Sequence, residues 1–186
     1  MSTALLVVDV QQSFTQRPYW SDQDAPSFLR ALQGLIDRCV ARGIPVVQIF
    51  HQQEDEGPDG PFSKHSGFVR TLPQLRIEPQ EVFYKDVHSA LFGRNAAGET
   101  LEQWLRRNGI DHVIVTGIRT EQCCETTTRH ASDSGFRVTY AIDATLTFPM
   151  VAKSGRRYSV EELKERTELV LANRFAQVVP AEAVNL

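Results

Sequence analysis

The chain has 186 residues, 41% hydrophobic and 23% charged, with a formal net charge of -3. That length and balance fit one globular domain with its own core, taken here as residues 1–186, and give no reason to expect nucleic acid or an anionic membrane as partner. No apolar run approaches the ~20 residues of a membrane span, and three cysteines, Cys39, Cys123 and Cys124, argue against a disulfide framework and for a reducing cytoplasm.

The segment Met1 to Val10 has no basic residue ahead of its apolar stretch and ends that stretch on Asp9, so it reads as a first strand and not as a secretory signal. Phe28, Leu32, Leu35, Ile36 and Cys39 then recur at helical spacing, with Pro26 near the start and Gly43 just past the end. Ile44–Phe50 is a second strand run. Gln52–Lys64 holds acidic residues, glycines and prolines and is a loop; it is either a solvated connection or the rim of a site. Val82–Tyr84 is a weaker strand candidate.

Leu101, Trp104 and Leu105 mark a second helix, closed by Gly109, and His112–Val115 is the next strand run. Cys123–Ser134 forms a third helix, Arg137–Ala141 another strand, Val160–Asn173 a fourth helix with Ser159 as N-cap, and Ala176–Val179 the last strand run. Leu146–Ser159, with Lys153, Arg156 and Arg157, reads as a basic loop, solvated or bordering the site. Strand and helix alternating over one domain predict a three-layer α/β/α sandwich. Near-continuous β-branched runs predict a mainly parallel central sheet, of about six strands by the runs counted above.

The sharpest chemical feature is Thr116-Gly117-Ile118-Arg119-Thr120-Glu121-Gln122-Cys123-Cys124. A buried strand, a turn and a helix beginning near Cys123 place a thiol at a helix N-terminus. There the dipole favours the thiolate, and free N–H groups can receive an oxyanion. The plainer alternative is two small cysteines packing a helix against the sheet. Asp9 ends the first strand and either caps the next turn or works there. Lys85 follows Val82–Tyr84 and is either solvated or part of the same group. Strand ends of a parallel sheet converge on one edge, so Asp9, Lys85 and Cys123 are candidates for one cleft, where an acid, a cation and a thiol can poise a nucleophile.

In order along the chain, Leu6-Val7-Val8-Asp9-Val10-Gln11-Gln12-Ser13-Phe14, Lys85-Asp86-Val87-His88-Ser89-Ala90-Leu91-Phe92, Gly117 to Ala131, Asp143-Ala144-Thr145 and the tail around Phe175-Ala176-Gln177-Val178 resemble the isochorismatase-like cysteine hydrolases. That family includes nicotinamidases, N-carbamoylsarcosine amidases and ureidoacrylate-type amidases. The resemblance selects Cys123, three residues after Thr120, as nucleophile, and sends Cys124 into the core. It implies a cis peptide between Ile118 and Arg119 and an oxyanion hole of the Arg119 and Cys123 N–H groups. It also implies amide or ureide hydrolysis through a thioester, with Asp9 and Lys85 as helpers. Phe14, Arg119, His51, Trp20 and His88 are candidate substrate-binding residues. Arg119 replaces a small residue of many members, so its fork is expected either to meet an anionic group or to pair with Glu121.

The Asp-x-His of metal-binding nicotinamidases is missing, since the second strand ends Phe50-His51-Gln52-Gln53. His51 and His65 are too few for a metal site, and no metal or other cofactor is expected. A small-molecule substrate and a homo-oligomer, common in the family, are the expected partners. Isochorismatase-type vinyl-ether hydrolysis, a Cys123–Cys124 redox pair, and an inactive scaffold are the competing readings.

Overall fold

The structure, a computed structural model, describes residues 2–186; Met1 of the first-strand segment and of the single domain lies outside them. The elements run β1 (Ser2–Val8), α1 (Ala25–Ala41), β2 (Val46–His51), β3 (Glu81–Lys85), α2 (Leu101–Arg107), β4 (Ile110–Ile118), α3 (Glu125–Asp133), β5 (Arg137–Leu146), β6 (Met150–Val151), β7 (Arg157–Tyr158), α4 (Val160–Leu171) and β8 (Gln177–Val179). Six strands form one sheet in the order β3-β2-β1-β4-β5-β8, and every neighbouring pair is parallel.

Alternation along β1 divides the core. Ala4, Leu6 and Val8 face one layer, with Leu101, Trp104 and Leu105 of α2, Ala131 of α3 and Leu171 of α4. Leu5 and Val7 face the other, with Phe28, Leu32, Leu35, Ile36 and Cys39 of α1. A strand has period two, so a sheet buried on both faces needs apolar residues at every position. The predicted three-layer α/β/α fold with its six-stranded parallel sheet is what forms.

Local signals place the helix ends. Pro26 lies in the first turn of α1, and Gly43 follows that helix at φ 67°, a conformation glycine adopts without Cβ strain. The Ser159 hydroxyl accepts from the Glu162 N–H at 3.2 Å, and Glu162 accepts from the Ser159 N–H at 2.8 Å, a capping box that starts α4. Two expectations shift. The fourth helix stops at Leu171, because Asn173 takes φ 60°. The Leu146–Ser159 segment is not all loop: Met150 pairs Tyr158 and Val151 pairs Arg157 in a short antiparallel hairpin.

From β1 the chain winds outward through β2 to β3, then returns to the other side of β1 as β4. The switch point therefore lies between β1 and β4. Crevices outside the carboxyl ends of strands at such points are where open α/β sheets bind ligands. The two strands approach closely there: Val8 pairs with Gly117, whose φ is 124°, and a Cβ on Gly117 would sit 1.9 Å from the Val8 carbonyl oxygen. Only glycine fits that contact.

Cys39, fully buried on α1, has its thiol pushed up to about 11 by burial, against the pull of Arg38 and Arg42. Its folded pKa is raised, so the stability it contributes is complete below the unfolded thiol pKa and lost as pH rises through the folded value. Between pH 9 and about 11 the unfolded chain releases a proton that the native one keeps, a slope of up to about 1.4 kcal/mol per pH unit. The unfolding free energy from urea titrations should fall with pH over that window more steeply for the wild type than for Cys39→Ala. Equal slopes would refute this account of the thiol.

Candidate active site

Each residue singled out at a strand end arrives at the switch point. Asp9 follows β1 directly and takes φ 55°, while its N–H donates to the Ile49 carbonyl of β2 at 2.8 Å. Lys85 is the last residue of β3, in register with His51 at the end of β2. Cys123 lies in a π-helical turn, Thr120–Cys124, that precedes α3. The wider turn is built from below. Tyr140 of β5 donates its hydroxyl to the Thr120 carbonyl at 2.7 Å, and the hydroxyls of Thr120 and Thr145 are 2.8 Å apart. The Cys124 N–H reaches back to the Arg119 carbonyl at 3.2 Å. The peptide between Ile118 and Arg119 is cis, at the place the resemblance implied.

The Lys85 ammonium is the hub. Its Nζ donates to Asp9 Oδ2 at 2.7 Å and to Cys123 Sγ at 3.5 Å, and lies 3.1 Å from His51 Nδ1. Both side chains of the Asp9–Lys85 pair are wholly inaccessible. Two charges removed from water this completely persist only because each satisfies the other. Asp9 Oδ1 has no hydrogen-bond partner, so one carboxylate oxygen is left free to take a proton.

The electrostatics follow from burial and from these neighbours. Burial by itself lowers the Lys85 pKa, but Asp9 and the Cys123 sulfur outweigh it and the direction is upward. Burial, and then the Asp9 carboxylate, push the Cys123 thiol up, while Lys85 opposes them. The direction is thus opposite to the one helix-end placement suggested: desolvation and a neighbouring anion exceed what the helix end and Lys85 supply. Burial and then the Lys85 charge hold His51 below the usual imidazole range. Cys124 is fully buried in the core, as its apolar position implied.

The other candidates fall in two groups. His51 stands at the hub, and its backbone is clamped by Gln11, whose amide accepts from the His51 N–H at 2.8 Å and donates to the His51 carbonyl at 3.0 Å. Phe14 is buried and meets Phe62 edge to face, centroids 5.1 Å apart; Phe62 in turn meets the His51 ring at 5.7 Å. The Gln52–Lys64 loop thus delivers Phe62 to the site edge.

Trp20 stays a layer back, packed on Phe148 at 5.4 Å with its indole N–H donated to Asp22. His88 is exposed and acts on His51 only by its charge. The Arg119 guanidinium does not stand free to meet an anion. It pairs with Glu121 at 2.9 Å and lies over the rings of Tyr19 and Phe148, because Glu121 is held in place by the Thr147 hydroxyl at 2.5 Å.

Gln11, Phe62, Tyr19 and Phe148 escaped the list of candidate site residues. Gln11 alone left a trace, two positions after Asp9 in the first motif.

Asp9, His51 and Cys123 offer donor atoms within 4.8 Å of one another, a spacing compatible with a bound cation. The Lys85 Nζ already contacts all three, so the cation this set accommodates is the ammonium. His65 is exposed and does not join them. Openings elsewhere hold no comparable set: one of about 580 Å³ runs between the β6–β7 hairpin and α4, and one of about 660 Å³ lies at the opposite sheet edge beside His112.

A cysteine, a carboxylate and an ammonium thus meet, buried, at the carboxyl edge of a parallel sheet, where open α/β sheets bind their ligands. The isochorismatase-domain family model matches residues 3–182, and the chain belongs to the isochorismatase family. It is 31% identical to nicotinamidase 3 of Arabidopsis thaliana over 96% of this chain and 85% of that protein. It is 30% identical to a streptothricin hydrolase of Streptomyces noursei, over 82% of this chain and 57% of that one. Among solved structures, an isochorismatase-family protein of Chromobacterium violaceum superposes with a TM-score of 0.83 at 29% identity, over 97% of this chain and 90% of that one. These relatives make the protein a hydrolase acting on a small molecule. Among the described residues no helix is long and apolar enough to cross a membrane.

Proposed function

We propose that this hydrolase cleaves a C–N bond of a small amide or ureide through a thioester on Cys123. Asp9 takes the thiol proton as the sulfur bonds to the carbonyl carbon. The resulting oxyanion is received by the Arg119 and Cys123 N–H groups. The C–N bond then breaks and the leaving amine takes the proton from Asp9. Water attacks the thioester with Asp9 as base, the acid is released, and the proton returns to the sulfur. Lys85 holds the Asp9 carboxylate in an ion pair and steadies the negative charge that passes to sulfur. Phe14 and His51 shape the pocket, with Trp20 and His88 further out. Arg119 contributes its backbone, and its side chain, neutralised by Glu121, forms a wall.

The observation that carries this reading is the buried hub in which one ammonium touches both the Asp9 carboxylate and the Cys123 sulfur. A panel of small primary amides and ureides, read by ammonia release, tests it. No turnover across the panel together with an unreactive Cys123 would favour an inactive member of the family.

The chemistry proposed needs no metal. Elemental analysis should find no stoichiometric zinc or iron, and a chelator should leave activity unchanged; one tightly bound metal per chain would overturn this. We place the protein in a reducing cytoplasm, in keeping with its three free thiols. We also expect a homo-oligomer, since Met150, Val151 and Leu169 leave apolar surface exposed around the hairpin and α4. Light scattering that returns the 21.0 kDa monomer at micromolar concentration would count against it.

A further inference from the structure

His51 makes contacts that pocket lining does not require. Its Nδ1 is 3.1 Å from the Lys85 ammonium and its Nε2 is 3.2 Å from the Gln53 amide oxygen. An ammonium has three donors and no acceptor, so Nδ1 must be unprotonated, and the proton sits on Nε2 facing Gln53. Lys85 then spends its three N–H bonds on Asp9, Cys123 and His51. The Gln11 clamp on both backbone groups of His51 ties the ring to the strand end that presents Asp9.

We propose that His51 is a positioning residue for the hydrolytic reaction: as a neutral imidazole it supplies the third acceptor that aims the Lys85 ammonium between Asp9 and Cys123, and its protonation disables the site. The inference rests on the cysteine-hydrolase reading. The charged and titratable groups facing His51 are Lys85 and the exposed His88, which oppose a second positive charge, and Asp9, which favours one; the Cys123 sulfur completes the surround. A proton on Nδ1 removes an acceptor from Lys85 and sets two cations 3.1 Å apart. It also gives Asp9 a rival partner, which weakens it as a base. Burial and Lys85 keep the ring neutral until the pH falls below the ordinary histidine range.

The test uses the intact protein and p-nitrophenyl acetate, an activated ester that acylates a thiol without any knowledge of the natural substrate. The burst of p-nitrophenol is followed from about pH 4.5 to 8, spanning the histidine range. The wild type should lose acylation rate at the acid end of this span, below the ordinary histidine midpoint. His51→Asn places a non-titrating oxygen near the Nδ1 position; it should lack that acid step and recover most of the neutral-pH rate. His51→Leu offers no acceptor and should be slowed about 10- to 100-fold throughout, as expected for losing a hydrogen bond to a charged group.

A measurement independent of turnover accompanies it. Nitrogen-15 spectra should show the Nε2–H tautomer of His51 near neutral pH, and Lys85→Met should raise its pKa. An Asn variant that keeps the wild-type acid step overturns the proposal. So does a folded Leu variant that acylates at the wild-type rate, or an Nδ1–H tautomer. If the wild type is not acylated at Cys123 at all, the cysteine-hydrolase reading fails instead, and the spectra still decide where the His51 proton lies.

Discussion

Cys123→Ala is expected to abolish turnover, by at least about 10⁴-fold in kcat/KM, while leaving the fold intact. In the proposed mechanism the sulfur, 3.5 Å from the Lys85 ammonium, is the nucleophile, and an alanine methyl offers no replacement. The loss of volume is small, so the stability cost should stay near 1 kcal/mol. Cys124 supplies the internal control. It is buried among the core residues beneath α3, and Cys124→Ala should cost a similar stability increment yet keep most activity. Steady-state kinetics on the substrate found by ammonia release, with thermal unfolding alongside, read both effects. An active Cys123→Ala beside a dead Cys124→Ala would mean that the motif has been aligned one residue out.

The second large effect is expected at Lys85. Lys85→Met roughly keeps the length of the side chain but leaves the buried Asp9 carboxylate without its counter-ion. Breaking a buried pair from one side costs about 3–5 kcal/mol, because the remaining charge is uncompensated. Activity should fall as well, by roughly 10³-fold or more, since the ammonium that holds Asp9 and steadies charge on the sulfur is gone. The double variant Asp9→Asn/Lys85→Met separates the two consequences. It removes both charges and should recover a large part of the lost stability while remaining inactive. Urea denaturation of the wild type and the two variants gives the comparison. If the single change costs no more stability than the double, the pair is not a desolvated ion pair in solution.

The order of strands and helices, and the apolar faces of the helices, were legible in the residues, because they depend on local periodicity and on local stops such as Pro26, Gly43 and Ser159. So was the gathering of Asp9, Lys85 and Cys123. All strands of a parallel sheet point their carboxyl ends at one edge, so residues at strand ends share that edge however far apart they lie in sequence, here 76 positions for Asp9 and Lys85.

Direction and partner choice at that edge were not legible. Arg119 could equally have met a ligand or Glu121, and its pairing was decided by Thr147, Tyr19 and Phe148, which come from other segments. His51 read as a pocket residue, and its place against Lys85 emerged only from the β2–β3 register and the Gln11 clamp. The helix-end position of Cys123 favours a lowered thiol pKa, but burial and the nearness of Asp9 push it upward. Sequence thus determined which side chains reach the sheet edge, since pattern and strand direction are local properties. Tertiary structure alone decided which of them touch and which carries the proton. Those depend on distances of a few ångströms and on desolvation, and both arise only when segments remote in the chain pack together.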